Sequence, residues 1–349
     1  MGLRTSAAVR RTSLAGVLTN WNIILQTQNL PSDRSMDPVS RWLLITRASV
    51  FPMTLFAALV GGLLAVGSPT ADWTHFSLAV VGLLVAHAAN NMINDYFDLE
   101  SGVDTQGYVR TVYAPHPIVS GLISRRGLLT AIAVLNVVDL VILVLLTKAH
   151  GPAVIVFAMA GLFISVFYVA PPLKLKHRGL GEPAVFVVWG PLMVGGTYFV
   201  TTGEAPAWVY LASIPYALLV ASVLIGKHVD KLPADRDKGI RTLPVVLGAD
   251  VSLALNRALM VGFYVTVVVL VIAGVFGLWT LIVLVSVPRL RETLATFRQP
   301  RPDSAPAGYP IWPLWYVAWA FRLTRQAGGL LVLGLLLDAV VPLHLWQSD

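Results

Sequence analysis

Residues 76–104 read FSLAVVGLLVAHAANNMINDYFDLESGVD, an apolar run that ends in a cluster of acids and amides. The apolar part is long enough to cross a hydrocarbon core of ~30 Å as a helix. The last fourteen positions, 91–104, hold two Asn, three Asp and one Glu. This stretch predicts a membrane-spanning helix that carries acidic side chains where it leaves the lipid.

Apolar stretches of this kind recur along the chain, in which 56% of the 349 residues are hydrophobic and 12% are charged. Soluble domains average ~45–50% apolar and ~25% charged residues, so the composition excludes an ordinary soluble domain. We predict an all-α, polytopic membrane helical bundle of about nine transmembrane helices. The predicted spans are 46–67, 76–97, 127–147, 152–170, 183–202, 207–226, 253–275, 277–290 and 326–346.

The basic residues support this topology, because 24 of the 25 fall on one side, in the N-terminal region, in the even-numbered connections or at the adjoining ends of the spans. Lys148 is the exception. Since cytoplasmic loops collect Lys and Arg, we expect an integral protein of the cell membrane with its N-terminus in the cytoplasm and the C-terminal HLWQSD outside. The net charge of +7 is then a product of topology, and no nucleic-acid partner is expected. We predict a loosely ordered cytoplasmic tail over 1–40 and a membrane domain over 41–349.

The chain contains no cysteine, which excludes disulfides, thiolate metal sites and cysteine nucleophiles. A Trp-rich stretch at 311–321, IWPLWYVAWAF, is interpreted as an interfacial or re-entrant piece before the ninth span. Two long connections on the predicted cytoplasmic side, 98–126 and 227–252, begin with acids directly after a span. Long loops in compact proteins tend to be functional, so we expect a functional site in these two connections.

Polar side chains form a stripe at the end of the second span, because they recur at helical spacing. Asp104 follows after Gly102, which can turn the chain back towards the stripe. Crowded carboxylates disfavour one another's charged form unless a cation lies between them, and an all-oxygen set of Asp and Asn suits Mg²⁺. The members of the stripe are Asn90, Asn91, Asn94, Asp95 and Asp98.

A second cluster lies in GKHVDKLPADRDKGIRTLP, residues 226–244. Carboxylates for metal binding alternate there with cations, which is the combination that a diphosphate–Mg²⁺ complex requires. Pro233 predicts a break in the helix between the acids. The acids are Asp230, Asp235 and Asp237, and the cations are Lys227, Lys231, Arg236, Lys238 and Arg241.

One acidic loop is usually just a solvated face, whereas two on the same side of the membrane predict a shared site. A further basic patch, Lys174 and Lys176, lies on that side. Asp139 and Asp338 lie inside predicted spans and are functional candidates by default, but we leave them out of the site because their sides are not assigned. For His87 the interpretation favoured is a hydrogen bond to a neighbouring helix.

The order of these motifs resembles the UbiA family of intramembrane prenyltransferases. The resemblance rests on the spacing N-x-x-x-N-D-x-x-D with a further Asp, and on the second Asp-rich segment that runs into DRDKGIRTLP. It covers about 46–346. The segments NDYFDLESGVDT (94–105), RGLGEPAVFVVWGPLMVGGTYFVTTG (178–203) and DRDKGIRTLPVVLG (235–248) look most similar to the 1,4-dihydroxy-2-naphthoate prenyltransferases of menaquinone synthesis.

The resemblance implies a central cavity open sideways to lipid, with the site at its cytoplasmic mouth. Two Mg²⁺ ions would grip the diphosphate of a polyprenyl donor, and an aromatic acceptor would attack the allylic cation. The metal set implied is Asn94, Asp95, Asp98 and Asp104 with Asp230 and Asp235, of which Asp95, Asp98, Asp230 and Asp235 are the expected catalytic residues. The expected substrate-binding residues are Asn90, Asn91, Arg110, His116, Lys174, Lys227 and Arg241.

Three departures from the family pattern bear on this assignment. The second motif has one extra residue between Asp230 and Asp235, which makes Asp237 an alternative ligand. His116 stands where the family carries a basic residue, and Gly226–Lys227 replaces a polar Asn. The acceptor is therefore open between dihydroxynaphthoate, 4-hydroxybenzoate and carotenoid substrates, and terpene cyclisation remains an alternative. A secondary transporter or a non-catalytic lipid-diphosphate binder are the alternatives from other classes.

Overall fold

The computed structural model describes residues 13–345, where the regular structure is helical apart from one isolated bridge, Arg178 to Arg241. An eight-residue π-helical segment, Val188–Gly195, joins α8 to α9. The α-helices of this part are α1 (Leu14–Thr27), α2 (Pro38–Ile45), α3 (Phe51–Leu64), α4 (Trp73–Glu100), α5 (Val109–Tyr113), α6 (Arg125–His150), α7 (Ala153–Phe167), α8 (Gly181–Val187), α9 (Gly196–Thr202), α10 (Ala207–Asp230), α11 (Leu232–Asp237), α12 (Leu243–Leu247), α13 (Ala249–Ile272), α14 (Val287–Thr296) and α15 (Tyr316–Val340).

The helical membrane fold is confirmed, but the count of nine spans is not. Six helices within residues 13–345 are long and apolar enough to cross a bilayer: α4, α6, the continuous helix Gly181–Thr202, α10, α13 and α15. The pair Pro38–Ile45 and Ala48–Leu64, bent by 65°, makes a seventh if it counts as one span. The fourth predicted span forms the shorter apolar helix α7, and the eighth forms a 3-10 helix over Leu278–Ser286.

Residues 13–40 are not the loosely ordered tail that the sequence predicted. The helix α1 begins at the N-cap Ser13 and buries Asn20 and Ile24 against the rest of the protein. The side-chain amide of Asn20 donates to the carbonyl of Ser35 at 3.0 Å, which fixes the connection to α2. A helix of this length acquires most of its stability from such tertiary contacts, which composition does not reveal. Residues 1–12 lie outside the described part, as do residues 346–349 at the predicted outer end.

The helix α15 begins at Tyr316, ten residues before the predicted ninth span, so 316–321 belongs to the same continuous helix as that span. The reason is a cap from a distant element. The Asp230 carboxylate accepts hydrogen bonds from the backbone N–H groups of Trp315, Tyr316 and Val317 at 2.9, 3.0 and 3.0 Å. The N–H groups at a helix start need acceptors, and a negative charge there also complements the helix dipole.

The helix α10 lies at the centre of the bundle, where it packs against α8, α13 and α15. Tyr216 on α10 donates its hydroxyl to the carbonyl of Met53 on α3 at 2.9 Å. The helix α3 also approaches the π-helical segment closely, since a Cβ at Gly61 would lie 2.5 Å from the Val194 carbonyl oxygen. These contacts leave α4, α6 and α7 on one side of the bundle, around an internal space.

That space is a cavity of about 690 Å³ between α4, α6, α7, the π-helical segment and α10. Its walls are predominantly apolar along the part of α4 that precedes Asn90 and along α6 and α7. Leu140 on α6 and Met159 and Leu162 on α7 line the cavity and are also 57%, 50% and 40% exposed. These residues of α6 and α7 therefore form a thin wall, with the cavity on one side and the outer surface on the other.

Candidate active site

A second, smaller cavity of about 40 Å³ lies at the C-terminal end of α4 and is lined mainly by charged and polar side chains. The two cavities share five residues, which makes the small one the polar end of the large one. The shared residues are Arg47, Asn94, Tyr113, Tyr168 and Lys227. The small cavity is completed by Asp98, Asp104, Arg110, Lys176, His228 and Lys231.

The polar stripe of α4 reaches this cavity because α4 continues without a break to Glu100. Asp95 is fully buried and forms an ion pair with Arg47, and Arg110 Nε lies 3.3 Å from its Oδ1. Asp98 accepts hydrogen bonds from Lys176 Nζ at 2.6 and 2.7 Å. Buried charges are tolerated when they are paired in this way. Asp95 and Asp98 therefore hold three cations at the cavity.

Three oxygens near the small cavity are buried and have no hydrogen-bond partner among the described residues. They are Asn94 Oδ1, Asp104 Oδ2 and Asp235 Oδ2. Such atoms are costly to bury without a partner, which makes them candidate ligand atoms for a bound group. Oxygen atoms from carboxylates and amides are what Mg²⁺ accepts, and this set therefore fits the ion.

Asp104 joins the stripe through the turn at Gly102, whose φ of 72° belongs to the left-handed region that glycine favours. The backbone N–H of Asp104 donates to the carbonyl of Asp98 at 3.0 Å. Burial raises the pKa of the Asp104 carboxyl, and the neighbouring charges of Asp98 and Asp95 raise it further. The crowding of carboxylates that the sequence predicted is therefore present.

His116 lies close to two of the acids, with Nε2 at 3.7 Å from carboxylate oxygens of both Asp95 and Asp104. The three side chains offer atoms within 4.8 Å of one another, a spacing that could hold a metal ion. The ring nitrogen Nδ1 accepts from the backbone N–H groups of Ile118 and Val119, so the neutral ring carries its proton on Nε2. A protonated nitrogen cannot ligate a metal, so His116 acts here as a hydrogen-bond donor.

The second acidic segment approaches the first through Tyr108. Its hydroxyl donates to Asp235, and Lys231 Nζ lies 3.5 Å from the same carboxylate oxygen. Burial and the Asp235 charge raise the pKa of the Tyr108 phenol, which keeps it protonated as a donor. Lys231 and Lys238 each lie 4.8 Å from the ring centre of Tyr108, and Lys238 Nζ also donates to the carbonyl of Gly102. The two long loops are thus fastened together over the cavity.

Several predicted site residues line neither cavity. Both carboxylate oxygens of Asp230 accept from backbone N–H groups at the start of α15 and are engaged there, so its role as a metal ligand stays a prediction. The helix breaks after Asp230, as Pro233 indicated, and the break turns the two acids in different directions. Asp237 and Arg241 have exposed side chains, and the backbone of Arg241 pairs with Arg178.

Lys174 is half-buried and does not line the small cavity, whereas Lys176 does. Lys174 has a φ of 44°, so the chain turns between the two lysines and presents the second one to Asp98. Lys227, by contrast, lines both cavities as expected and makes no ion pair or hydrogen bond within residues 13–345. It is available to an incoming anion.

Two amide side chains of α4 that line the large cavity form hydrogen bonds to neighbouring segments. Asn90 Oδ1 accepts from Ser165 at 2.8 Å, and Asn91 donates to the Thr46 carbonyl at 2.9 Å. His87 lies 2.8 Å from Thr54 Oγ1, which agrees with the predicted hydrogen bond to a neighbouring helix. Asp139 lines the large cavity on α6, and its buried Oδ1 has no partner among the described residues.

Sequence reasoning missed several residues of the small cavity. Lys176 and Lys231 stood in the basic clusters near the acids but were not among the expected substrate-binding residues. Arg47 lies just before an apolar run, where a positive charge is also expected of any cytoplasmic helix end. Tyr108, which joins the two acidic loops but does not line the cavity, also had no local signal, because its partner Asp235 is 127 positions away in the sequence.

A scan against protein families matches residues 54–315 to the UbiA prenyltransferase family. The chain belongs to this family. It is 25% identical over 286 residues to a 1,4-dihydroxy-2-naphthoate octaprenyltransferase of Bacillus subtilis, which covers 78% of this chain and 86% of that protein. It is 34% identical over 231 residues to a digeranylgeranylglyceryl phosphate synthase of Halobacterium salinarum, with 66% of this chain and 76% of that protein covered.

The fold is also that of solved UbiA structures. A UbiA homolog from Archaeoglobus fulgidus bound to GPP and Mg²⁺ superposes with a TM-score of 0.54 at 16% identity, covering 83% of this chain and 99% of that one. The UbiA membership makes this chain a membrane-embedded prenyltransferase. A buried acidic cluster lies where the sequence stripe predicted one, at the polar end of a large apolar cavity.

Proposed function

We propose that this UbiA protein catalyses the Mg²⁺-dependent transfer of a polyprenyl group from its diphosphate to an aromatic quinone precursor, with 1,4-dihydroxy-2-naphthoate the first candidate. The observation that carries the proposal is the joining of a small cation-lined cavity to an apolar cavity of about 690 Å³. A polyprenyl diphosphate has the same two parts, a polar head and an apolar tail. The similarity to the Bacillus naphthoate enzyme favours the acceptor.

The unpartnered oxygens of Asn94, Asp104 and Asp235 would hold Mg²⁺. Bound Mg²⁺ would neutralise charge on the diphosphate and so make it a better leaving group. The chain supplies further cations for the phosphate oxygens that the metal does not reach. These cations are Arg47, Arg110, Lys176, Lys227 and Lys231, all of which line the small cavity.

Transfer requires the allylic C–O bond to break, and the electron pair leaves with the diphosphate oxygen. The allylic cation is then attacked by an electron-rich carbon of the acceptor, which afterwards loses a proton. The apolar walls of the large cavity exclude water, which would otherwise capture the cation. Asp95 contributes indirectly in this scheme, because it orients Arg47 and Arg110 towards the leaving group.

We also propose that the site faces the cytoplasm of the cell membrane, because the small cavity lies at the end of α4 whose connection carries the predicted cytoplasmic charges. The membrane catalytic domain would be 41–349, with 1–40 as an N-terminal extension to it. The charges that support this orientation include Arg110, Arg125 and Arg126.

The test is to incubate the purified protein with Mg²⁺, labelled prenyl diphosphates and a panel of acceptors, and to identify products by mass spectrometry. The proposal predicts a prenylated dihydroxynaphthoate whose formation stops when EDTA removes the metal. A prenylated hydroxybenzoate or carotenoid would correct the acceptor. Release of diphosphate with a cyclised hydrocarbon would replace transfer by cyclase chemistry. No diphosphate release from any donor would contradict the proposal altogether.

A further inference from the structure

A buried histidine–glutamate pair adjoins the small cavity and has no part in the function proposed above. His228 Nδ1, on α10, lies 2.7 Å from Glu182 Oε1, at the start of α8. The two residues are 2% and 3% exposed. A carboxylate buried in this way is expensive unless it holds a specific partner, and here that partner is the imidazole ring.

His228 is the part of the pair that reaches the cavity. It lines the small cavity together with Lys176, Lys227 and Lys231, whereas Glu182 does not line it. Because Nδ1 is directed to the carboxylate, Nε2 is the nitrogen of the ring that remains for another partner. A carboxylate that fixes one ring nitrogen also fixes the orientation of the other.

We propose that His228 is a further binding residue for the donor diphosphate, and that Glu182 is its positioning residue. This inference rests on the proposed function. In the complex, imidazolium Nδ1–H donates to Glu182 and Nε2–H donates to a diphosphate oxygen. The ring then lies between two anions, and the hydrogen bond to the diphosphate is charge-assisted at both ends. Glu182 keeps the ring in place whether or not an anion is bound, because its carboxylate contacts His228 Nδ1 at 2.7 Å.

The test measures binding of inorganic diphosphate with Mg²⁺ to the purified protein by calorimetry, beside the KM of donor and acceptor. His228→Phe should weaken diphosphate binding about tenfold to a hundredfold, because one charge-assisted hydrogen bond is lost. The KM of the donor should rise with it, while the KM of the acceptor stays unchanged. Glu182→Leu should weaken diphosphate binding, and Glu182→Gln, whose amide oxygen can still accept from Nδ1–H, should restore most of it.

The control is His150→Gln, which changes a histidine that contacts His75 at 3.0 Å and lines neither cavity. If His228→Phe does not fold, His228→Gln takes its place, with the thermal unfolding midpoint measured for each variant. Wild-type diphosphate affinity in a folded His228 variant would overturn the inference and leave the proposed function standing. A wild-type protein that neither binds diphosphate nor transfers a prenyl group would instead overturn the proposed function.

Discussion

Asp235 and Asp237 lie two positions apart on α11, yet their side chains have opposite environments. Asp235 is buried against Tyr108 and Lys231, with one carboxylate oxygen unpartnered within the described residues, while Asp237 is exposed. A ligand oxygen must face the ion and be free of another protein partner, which holds for Asp235 Oδ2 within the described residues. The structure therefore favours Asp235 over Asp237 as the ligand from the second motif.

We expect Asp235→Asn to abolish Mg²⁺-dependent transfer, because the amide replaces a charged oxygen that would hold the metal. Asp237→Asn is the matched control and should keep wild-type activity. The measurement is the initial rate as a function of Mg²⁺ concentration for both variants. Full activity in Asp235→Asn would contradict its role, and loss in Asp237→Asn alone would reverse the choice between the two acids.

A second pair of neighbours, Lys174 and Lys176, allows a similar comparison. We expect Lys176→Met to raise the KM of the donor at least about tenfold, because a hydrogen bond to a charged group is worth about 1.5–3 kcal/mol and Asp98 loses its partner. Lys174→Met should leave it unchanged, since this side chain does not line the small cavity. The measurement is the KM of the donor for both variants. Equal effects of Lys176→Met and Lys174→Met would contradict the choice of Lys176 as the diphosphate-binding lysine.

At the scale of elements, the start of α15 depends on α10. Asp230 ends α10 and caps α15 through three backbone N–H groups, so one carboxylate joins two spans near the site. Tyr108 similarly joins the two acidic loops, since it contacts Asp235, Lys231 and Lys238. These contacts fix the positions of the segments around the small cavity relative to one another.

We expect Asp230→Ala to lower the free energy of unfolding by about 1–2 kcal/mol, the range found when a helix N-cap is removed. The Mg²⁺ dependence of the remaining activity should not change, because the Asp230 carboxylate is engaged with α15. The measurements are the thermal unfolding midpoint in detergent and a Mg²⁺ titration of the rate. A variant with normal stability but a weakened response to Mg²⁺ would identify Asp230 as a metal ligand.

For the whole molecule, the large cavity determines which donors fit. Gly161 on α7 lines it, and a Cβ added there meets no atom within 4 Å. The residue lies seven positions from Tyr168 at the polar mouth, about 10 Å along the helix. A larger side chain at 161 would therefore project into the tail region and leave the diphosphate end unaltered.

We expect Gly161→Phe to reduce transfer from long polyprenyl donors while transfer from dimethylallyl diphosphate continues, because only a long tail passes position 161. Gly161→Ala is the control, since a methyl group fits without displacing an atom. The readout is the rate with donors of increasing length. An equal loss with every donor would indicate that the substitution disturbs the fold, and no loss with any donor would place the tail elsewhere.

The membrane fold follows from the sequence because it depends on local chemistry. Apolar runs long enough to span lipid, and the bias of Lys and Arg between connections, are properties of contiguous residues. The polar stripe on α4 was predictable for the same reason, since helical spacing alone brings Asn94, Asp95 and Asp98 to one end of a span. The regular shape of a helix needs no partner to determine which residues share a face.

The tertiary structure decided which acids face the site, because that depends on partners far apart in the chain. Asp230 meets the backbone of α15, 85 positions away, and Asp235 meets Tyr108, 127 positions away. The choice of Lys176 over Lys174, the burial of α1 and the pairing of His228 with Glu182 have the same origin. The sequence by itself determined a helical membrane protein with acids at a span end, and packing between distant segments decided the geometry of the site.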